Sequence, residues 1–459
     1  MVSEILGCLD LPSGIDMFTA WVEAQMAYRG QPGLSIAVVS DQKLVWSRGF
    51  GYADAEKGVK ATPKTRYRIA SITKLFTSTA IMQLRDKGKL SLDDEVASHL
   101  DWFKLKKGYR DSPPIKIWHL LTHTSGLPRE SATPYWTDSN FPTREQVIKL
   151  LSTQVAAAPT ETLWKYSNLA LTVAGEIVQE VSGTPYADYV EENILKPLGM
   201  KDTLVKSPSP DDPMLAKGYG RRLPSGTRAK SPYTDCRGIT PAANMTTTAE
   251  DLAKFAMLQF RDGKEGGKQI LRGSTLREMH RPHWLQPDWK EGFGIGFRVS
   301  RIGGKSYVGH GGAVQGFRTY IRLSPEEKVG VVVLTNSDDG APMSYAEKAM
   351  QWLTYPLTHG ETKTVKNEKP YAVYEGRVRD TWSDMQMLTL NGVLHAVDPT
   401  QPDPAPTLIR LEPNGEHTFK MYPEEGSGSY GENMVFEFAK DKLVRVKRGE
   451  NYTYPIAKW

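Results

Sequence analysis

The sequence predicts an α/β fold followed by an all-β barrel. One sheet, assembled from distant segments and flanked by helices, carries a helical insertion, and a separate strand-rich tail comes after it. Three observations lead there. β-rich runs stand near the start of the chain and again after about residue 290. The stretch between them is helical and rich in Pro-containing loops. From about residue 363 the chain becomes a succession of short strands and tight turns.

Asp16–Tyr28 reads as a helix carrying Met17, Phe18, Trp21, Val22 and Met26. Leu34–Val39 and Leu44–Arg48 flank the turn Ser40–Lys43 as a hairpin. Ser71–Asp86 has Leu75, Phe76, Ala80, Ile81 and Leu84 on a broad apolar face, with Gly88 just past its end. Leu169–Val181, followed by Gly183, and Glu250–Phe260 are further helices. Phe293–Val299, Ser306–Gly309, Arg318–Leu323 and Val329–Thr335 read as strands, the last two joined by Ser324–Lys328. Pro342–Leu353 is helical, with Pro342 in the first turn, where its missing N–H costs nothing. Thr362–Pro370 is a charged, polar linker. In the tail, Asn391-Gly392 and Asn414-Gly415 are hairpin turns. They join Met387–Leu390 to Val393–Val397 and Thr407–Leu411 to His417–Met421. Met434–Phe438 and Leu443–Lys447 alternate around Lys440-Asp441. The expected domains are 1–360 and 361–459, within what 459 residues allow.

Composition excludes several function classes. The net charge of +5, from 58 basic and 53 acidic residues, is small and scattered, so nucleic-acid binding is not expected. No run of about 20 apolar residues exists, so no membrane span is expected. Cys8 and Cys236 form no CxxC pattern, and a bridge between them is disfavoured because Cys8 lies in a short lead. The first thirty residues carry Glu4, Asp10 and Asp16 and show no secretory pattern. The expected location is cytoplasmic, or periplasmic if a leader precedes these residues. Gly292–Gly296 is glycine-rich but lacks the strand-then-helix setting of a dinucleotide site. His280 and His283 are spaced like metal ligands, but Pro282 breaks any helix there and no acidic partner follows. Neither a cofactor nor a metal is expected.

Three short patterns carry chemistry. In Ser71-Ile72-Thr73-Lys74, positions three apart on a helix share a face, so hydroxyl and amine can meet. Serine needs a neighbouring base to become a nucleophile, and a lysine depressed by burial can serve. The plain alternative is an N-cap and a solvated lysine. Ser40-x-x-Lys43 has the same spacing but falls in a turn. In Tyr166-Ser167-Asn168, a phenol can relay a proton and an amide can hold a substrate amide or ester. The alternatives are a packed aromatic and a helix cap. In His310-Gly311-Gly312, followed by Ala313, the glycines allow close approach of a substrate. A backbone N–H there could pair with that of Ser71 as an oxyanion hole. The alternative is a turn with a solvated histidine.

The order SxxK, YxN, HxG, with separations of about 95 and 140 residues, resembles the penicillin-recognising serine hydrolases. These include class C β-lactamases, D-aminopeptidases, DD-peptidases and family VIII esterases. Tyr67–Ala70, His119–Pro128, Ser182–Pro185, Pro197–Met200 and Thr248–Leu252 are similar to family stretches, and the resemblance runs from about residue 15 to 355. It implies an antiparallel sheet flanked by helices, a helical subdomain, and hydrolysis of esters or amides through an acyl-enzyme. The activity implied is that of an esterase or D-amino-acid peptidase, with weak β-lactamase activity allowed. Ser71 would be the nucleophile, and Lys74 and Tyr166 would share the base and acid work. Asn168 would hold the acyl-side amide or place Lys74. His310 stands where many relatives have the lysine of KTG, and Ser71 and Ala313 would supply the oxyanion N–H groups. A neutral imidazole at His310 receives a β-lactam carboxylate less well than lysine. Pro159–Thr162 and Pro241–Asn244 depart from the family pattern and are expected at the cleft rim, away from the catalytic side chains. Tyr374–Arg379 resembles the opening strand of a lipocalin-like barrel, expected to act as a structural or gating module. A small-molecule ester, amide or peptide is the expected partner, and a homo-oligomer is compatible. The competing readings are a catalytically silent scaffold or filament-forming family member and a cell-wall DD-peptidase.

Overall fold

The structure, a computed structural model, describes residues 9–263, 266–359, 370–423 and 429–457. Cys8 and all of the expected linker but Pro370 lie outside them. By internal packing the chain divides into two compact units. One is Pro32–Ala346, and the other comprises the described residues of Met1–Gln31 and Glu347–Trp459.

The first unit is organised by a nine-stranded antiparallel sheet. Its strands are β1 (Gly33–Ser40), β2 (Lys43–Asp54), β3 (Val59–Lys60), β4 (Trp284–Leu285), β5 (Glu291–Phe293), β6 (Arg298–Ile302), β7 (Lys305–Val314), β8 (Phe317–Ser324) and β9 (Val329–Thr335). The spatial order is β3-β2-β1-β9-β8-β7-β6-β5-β4. The sheet therefore joins the start of the unit to its end through the β1–β9 ladder, in register from Leu34↔Thr335 to Ser40↔Val329. Both strands are almost wholly buried, which is why they read as continuous apolar runs rather than alternating ones. The helix Ala249–Leu258 packs on both.

Between β3 and β4 the chain forms the helical insertion. Thr73–Asp86 and Asn168–Ser182 are its central helices and pack against each other. Gly175 on the second is required by close approach, because a Cβ there would stand 2.2 Å from Pro241 Cγ. Ser167 caps that helix, accepting from Ala170 N at 2.9 Å. Gly183 closes it in the left-handed conformation.

The expected strand Phe293–Val299 is broken. Gly294 N donates to Phe297 O at 2.8 Å, and Gly296, at φ +80°, donates to Leu121 O at 3.0 Å. The apolar residues that suggested one strand, Ile295 and Phe297, point into the core from a turn. The expected short strand Ser306–Gly309 is the ten-residue β7, and the helix from Pro342 continues to His359 through Pro356.

In the second unit, eight strands between Gly376 and Pro455 close a barrel, the first pairing with the last through Val378↔Pro455. Asn391 and Gly392 both adopt positive φ, as do Lys440 and Asp441, in line with the turn chemistry read from the sequence. The interior is filled with side chains, among them Met387, Leu394, Leu411, Met421 and Phe436. The N-terminal helix, Leu11–Arg29, belongs to this unit. Trp21 Nε1 donates to Gln401 O at 3.1 Å, Gln25 Nε2 to Thr400 O at 2.8 Å, and Glu23 pairs with Arg377.

One glycine fixes how β7 meets the turn that carries Ser71. A Cβ on Gly312 would lie 2.1 Å from Ile69 O and 2.2 Å from Thr319 Oγ1. The Thr319 hydroxyl itself donates to Ile69 O at 3.2 Å. Gly312→Ala must therefore separate strand from turn. We expect a loss of about 1–3 kcal/mol in urea unfolding, the usual cost of overpacking.

Candidate functional site

Ser71 lies in the 3₁₀ turn Ala70–Ile72, which runs straight into the helix Thr73–Asp86. The turn is pinned from several sides. Ala70 takes φ +46°, Ile69 N donates to Met245 O at 3.0 Å, and Met245 N donates to Thr73 Oγ1 at 3.2 Å. Ser71 is thus not the N-cap of a helix with a solvated lysine behind it. Its hydroxyl faces a cleft of about 730 Å³ that lies within the first unit.

Lys74 is wholly buried one turn below. Its Nζ has three partners: Ser71 Oγ at 3.0 Å, Asn168 Oδ1 at 2.7 Å and Ala242 O at 2.8 Å. Burial pushes its pKa down to about 7; Glu130 opposes the shift and Arg129 adds to it. A neutral amine fits these three partners. Its two N–H groups go to the carbonyl oxygens, which can only accept, and its lone pair turns to the Ser71 O–H.

Pro241–Asn244 corrects an expectation. It lies under Lys74 rather than at the cleft rim, and the Ala242 carbonyl holds the amine directly. Asn244 is buried and accepts from Cys236 N at 2.9 Å. Cys236 itself is a buried free thiol.

Asn168 is the first residue of its helix, and because Ser167 does the capping, the Asn168 amide is free to face Lys74. Its orientation is set by Glu130, whose carboxylate accepts from Asn168 Nδ2 at 2.7 Å and also from Tyr135 OH. Glu130 was missed in the sequence. The one signal was its position beside Arg129, directly after the Gly-Leu-Pro of the His119–Pro128 stretch.

Tyr166 lines the cleft with Ser71, and its phenol pKa is pushed up by burial, only partly countered by the Ser71 hydroxyl. The Lys74 Nζ lies 4.9 Å from its ring centroid. His123 stacks on the ring at 4.4 Å, and its Nδ1 accepts from Ser167 N at 3.2 Å. His123, within the His119–Pro128 stretch, therefore holds the second motif in place.

His310, Gly311, Gly312 and Ala313 lie on β7 and line the cleft with Ser71. His310 is buried, and its ring sits 6.2 Å from that of Tyr166. Its Nδ1 lies 2.7 Å from Gly311 O, which can only accept, so Nδ1 carries the proton. Burial depresses its pKa to about 3, so the imidazole is neutral at ordinary pH. Trp136, Trp164 and Phe293 supply much of the apolar wall. Among the described residues no cluster of His, Cys, Asp and Glu could hold a metal ion, and no helix is long and apolar enough to cross a membrane.

Comparison with known proteins agrees with this architecture. Protein flp of Staphylococcus aureus (strain MW2) is 30% identical over 341 residues, which cover 73% of this chain and 65% of that relative. The chain thus spans less than two thirds of that relative's length. The octameric penicillin-binding protein homologue from Pyrococcus abyssi superposes with a TM-score of 0.65 at 27% identity, covering 96% of this chain and 99% of its own. A class C beta-lactamase superposes with a TM-score of 0.63 at 20% identity over 75% of this chain and 98% of its own, a likeness of fold alone. The Beta-lactamase family model matches residues 18–353, most of the chain, and the chain belongs to that family.

Proposed function

We propose that the chain is a serine hydrolase that cleaves esters or amides through an acyl-enzyme. The observation that carries this reading is the Lys74 amine, fully buried and 3.0 Å from the Ser71 hydroxyl. Lys74 takes the Ser71 proton as Oγ attacks the substrate carbonyl carbon. The backbone N–H groups of Ser71 and Ala313 receive the developing oxyanion. The bond to the leaving group then breaks, and Tyr166 relays a proton from Lys74 to that group. A neutral phenol with a raised pKa suits a donor and relay better than a base, so Lys74 is assigned the base role. Water repeats the sequence on the acyl-enzyme and restores Ser71. Asn168, oriented by Glu130, holds Lys74 in place, burial keeps the amine's pKa low, and His310 shapes the cleft as a neutral group. This supports an esterase or D-amino-acid peptidase over a dedicated β-lactamase.

Hydrolysis of p-nitrophenyl butyrate is expected for the wild type. Ser71→Ala should reduce it by at least about 10³-fold and abolish labelling by a fluorophosphonate. Absence of both hydrolysis and labelling in the wild type would sink the reading. The acid limb of kcat/KM should report Lys74. Below about pH 7 the amine is protonated and cannot accept, so activity should rise with pH through about 7. Lys74→Arg, permanently charged, should remove that limb together with the activity. The likeness to a homologue described as octameric, over 96% of this chain, supports a homo-oligomer, which light scattering after size exclusion would read as a mass well above 51.2 kDa.

A further inference from the structure

The charges that line the cleft cancel in place. Its arginines are Arg129, Arg298 and Arg318, and each has a carboxylate partner. Arg129 Nε meets Glu130 Oε1 at 3.1 Å, Arg318 Nη1 meets Asp338 Oδ1 at 3.1 Å, and Arg298 pairs with Glu291. His310 adds no charge, and Lys74 lies behind Ser71, engaged by three partners. A substrate carboxylate entering here finds each of these guanidinium groups already engaged. The walls, by contrast, are aromatic. Trp164 and Phe293 stack at 4.6 Å, with Trp136 and Tyr320 also in the lining.

The Arg298–Glu291 pair differs from the others in its position. Glu291 is on β5 and Arg298 on the adjacent β6, and Arg298 is in register with Gly309 on β7, one residue before His310. Its guanidinium therefore belongs to the third-motif side of the cleft, and its charge is felt by His310. Both side chains are about two-fifths exposed, 39% for Arg298 and 46% for Glu291. A pair so screened contributes little to stability, so the fold does not depend on it. Its effect on an incoming ligand is larger. Glu291 both occupies the guanidinium and repels a second carboxylate brought to the same place.

We propose that Glu291 is a specificity-determining residue: by occupying Arg298 it tunes the cleft to uncharged substrates with aromatic or bulky apolar groups and turns away those bearing a carboxylate near the scissile bond. This rests on the hydrolase reading above. Two matched ester pairs test it. One is p-nitrophenyl valerate against p-nitrophenyl hydrogen glutarate, with the carboxylate on the acyl side. The other is phenyl butyrate against 3-carboxyphenyl butyrate, with the carboxylate on the leaving group. The wild type should favour the neutral member of each pair by about tenfold or more in kcat/KM. Glu291→Gln should cut that preference by about tenfold in at least one pair, and Glu291→Gln with Arg298→Met should restore it. An equal wild-type rate on both members, or a preference unchanged in Glu291→Gln, overturns the inference while leaving the hydrolase reading intact. No turnover of any of the four esters overturns the hydrolase reading and this inference with it.

Discussion

An amine shut away from water governs the arrangement of this site. Lys74 has no exposed surface, so each of its hydrogen-bonding positions must be met from within the protein. The three partners come from three segments far apart in sequence: the turn at Ser71, the start of the helix at Asn168, and the short helix Thr240–Ala243 at Ala242. Placing all three together requires the two central helices to pack closely, and it requires Gly175 to let Pro241 approach. It also requires Glu130 to turn the Asn168 amide the right way. The depressed pKa of the lysine follows from this enclosure rather than from any one neighbour.

The opposite wall is set by backbone geometry. β7 runs against the Ser71 turn because Gly312 leaves room for the Ile69 carbonyl, to which Thr319 also donates. This brings His310 and Ala313 to the same cleft as Ser71. The histidine keeps its proton on Nδ1 through the Gly311 carbonyl and stays neutral. The arginines that line this cleft are paired with carboxylates, and its walls carry aromatic surface.

The barrel unit has a different economy. Its closed ladder leaves no open sheet edge, and its interior is occupied by methionine, leucine and phenylalanine side chains. The N-terminal helix is tied to the same unit by Trp21, Gln25 and Glu23, across about 350 to 380 residues of sequence.

Local chemistry made much of this legible in the sequence. Ser71 and Lys74 are one helical turn apart, so their meeting is a property of four residues. The Asn391-Gly392 turn needs positive φ at both positions, and those residue types supply it. The β1 and β9 runs are apolar throughout because both faces are buried. Other features had no local signature. Nothing in the spacing of Phe293–Val299 shows that Gly296 donates to Leu121, and without that contact the run has the pattern of one strand. No local pattern shows the contact of Pro241–Asn244 with Lys74, because it spans 168 residues. Glu130 reaches Asn168 across 38 residues, a contact with no local signature. Candidate reactive groups and most helices, strands and turns are legible along the chain, because they depend chiefly on near neighbours in sequence. Which carbonyls hold the lysine, which carboxylates pair with the cleft arginines, and the neutral state of His310 follow from the fold, because burial and pairing arise between residues that meet only after folding.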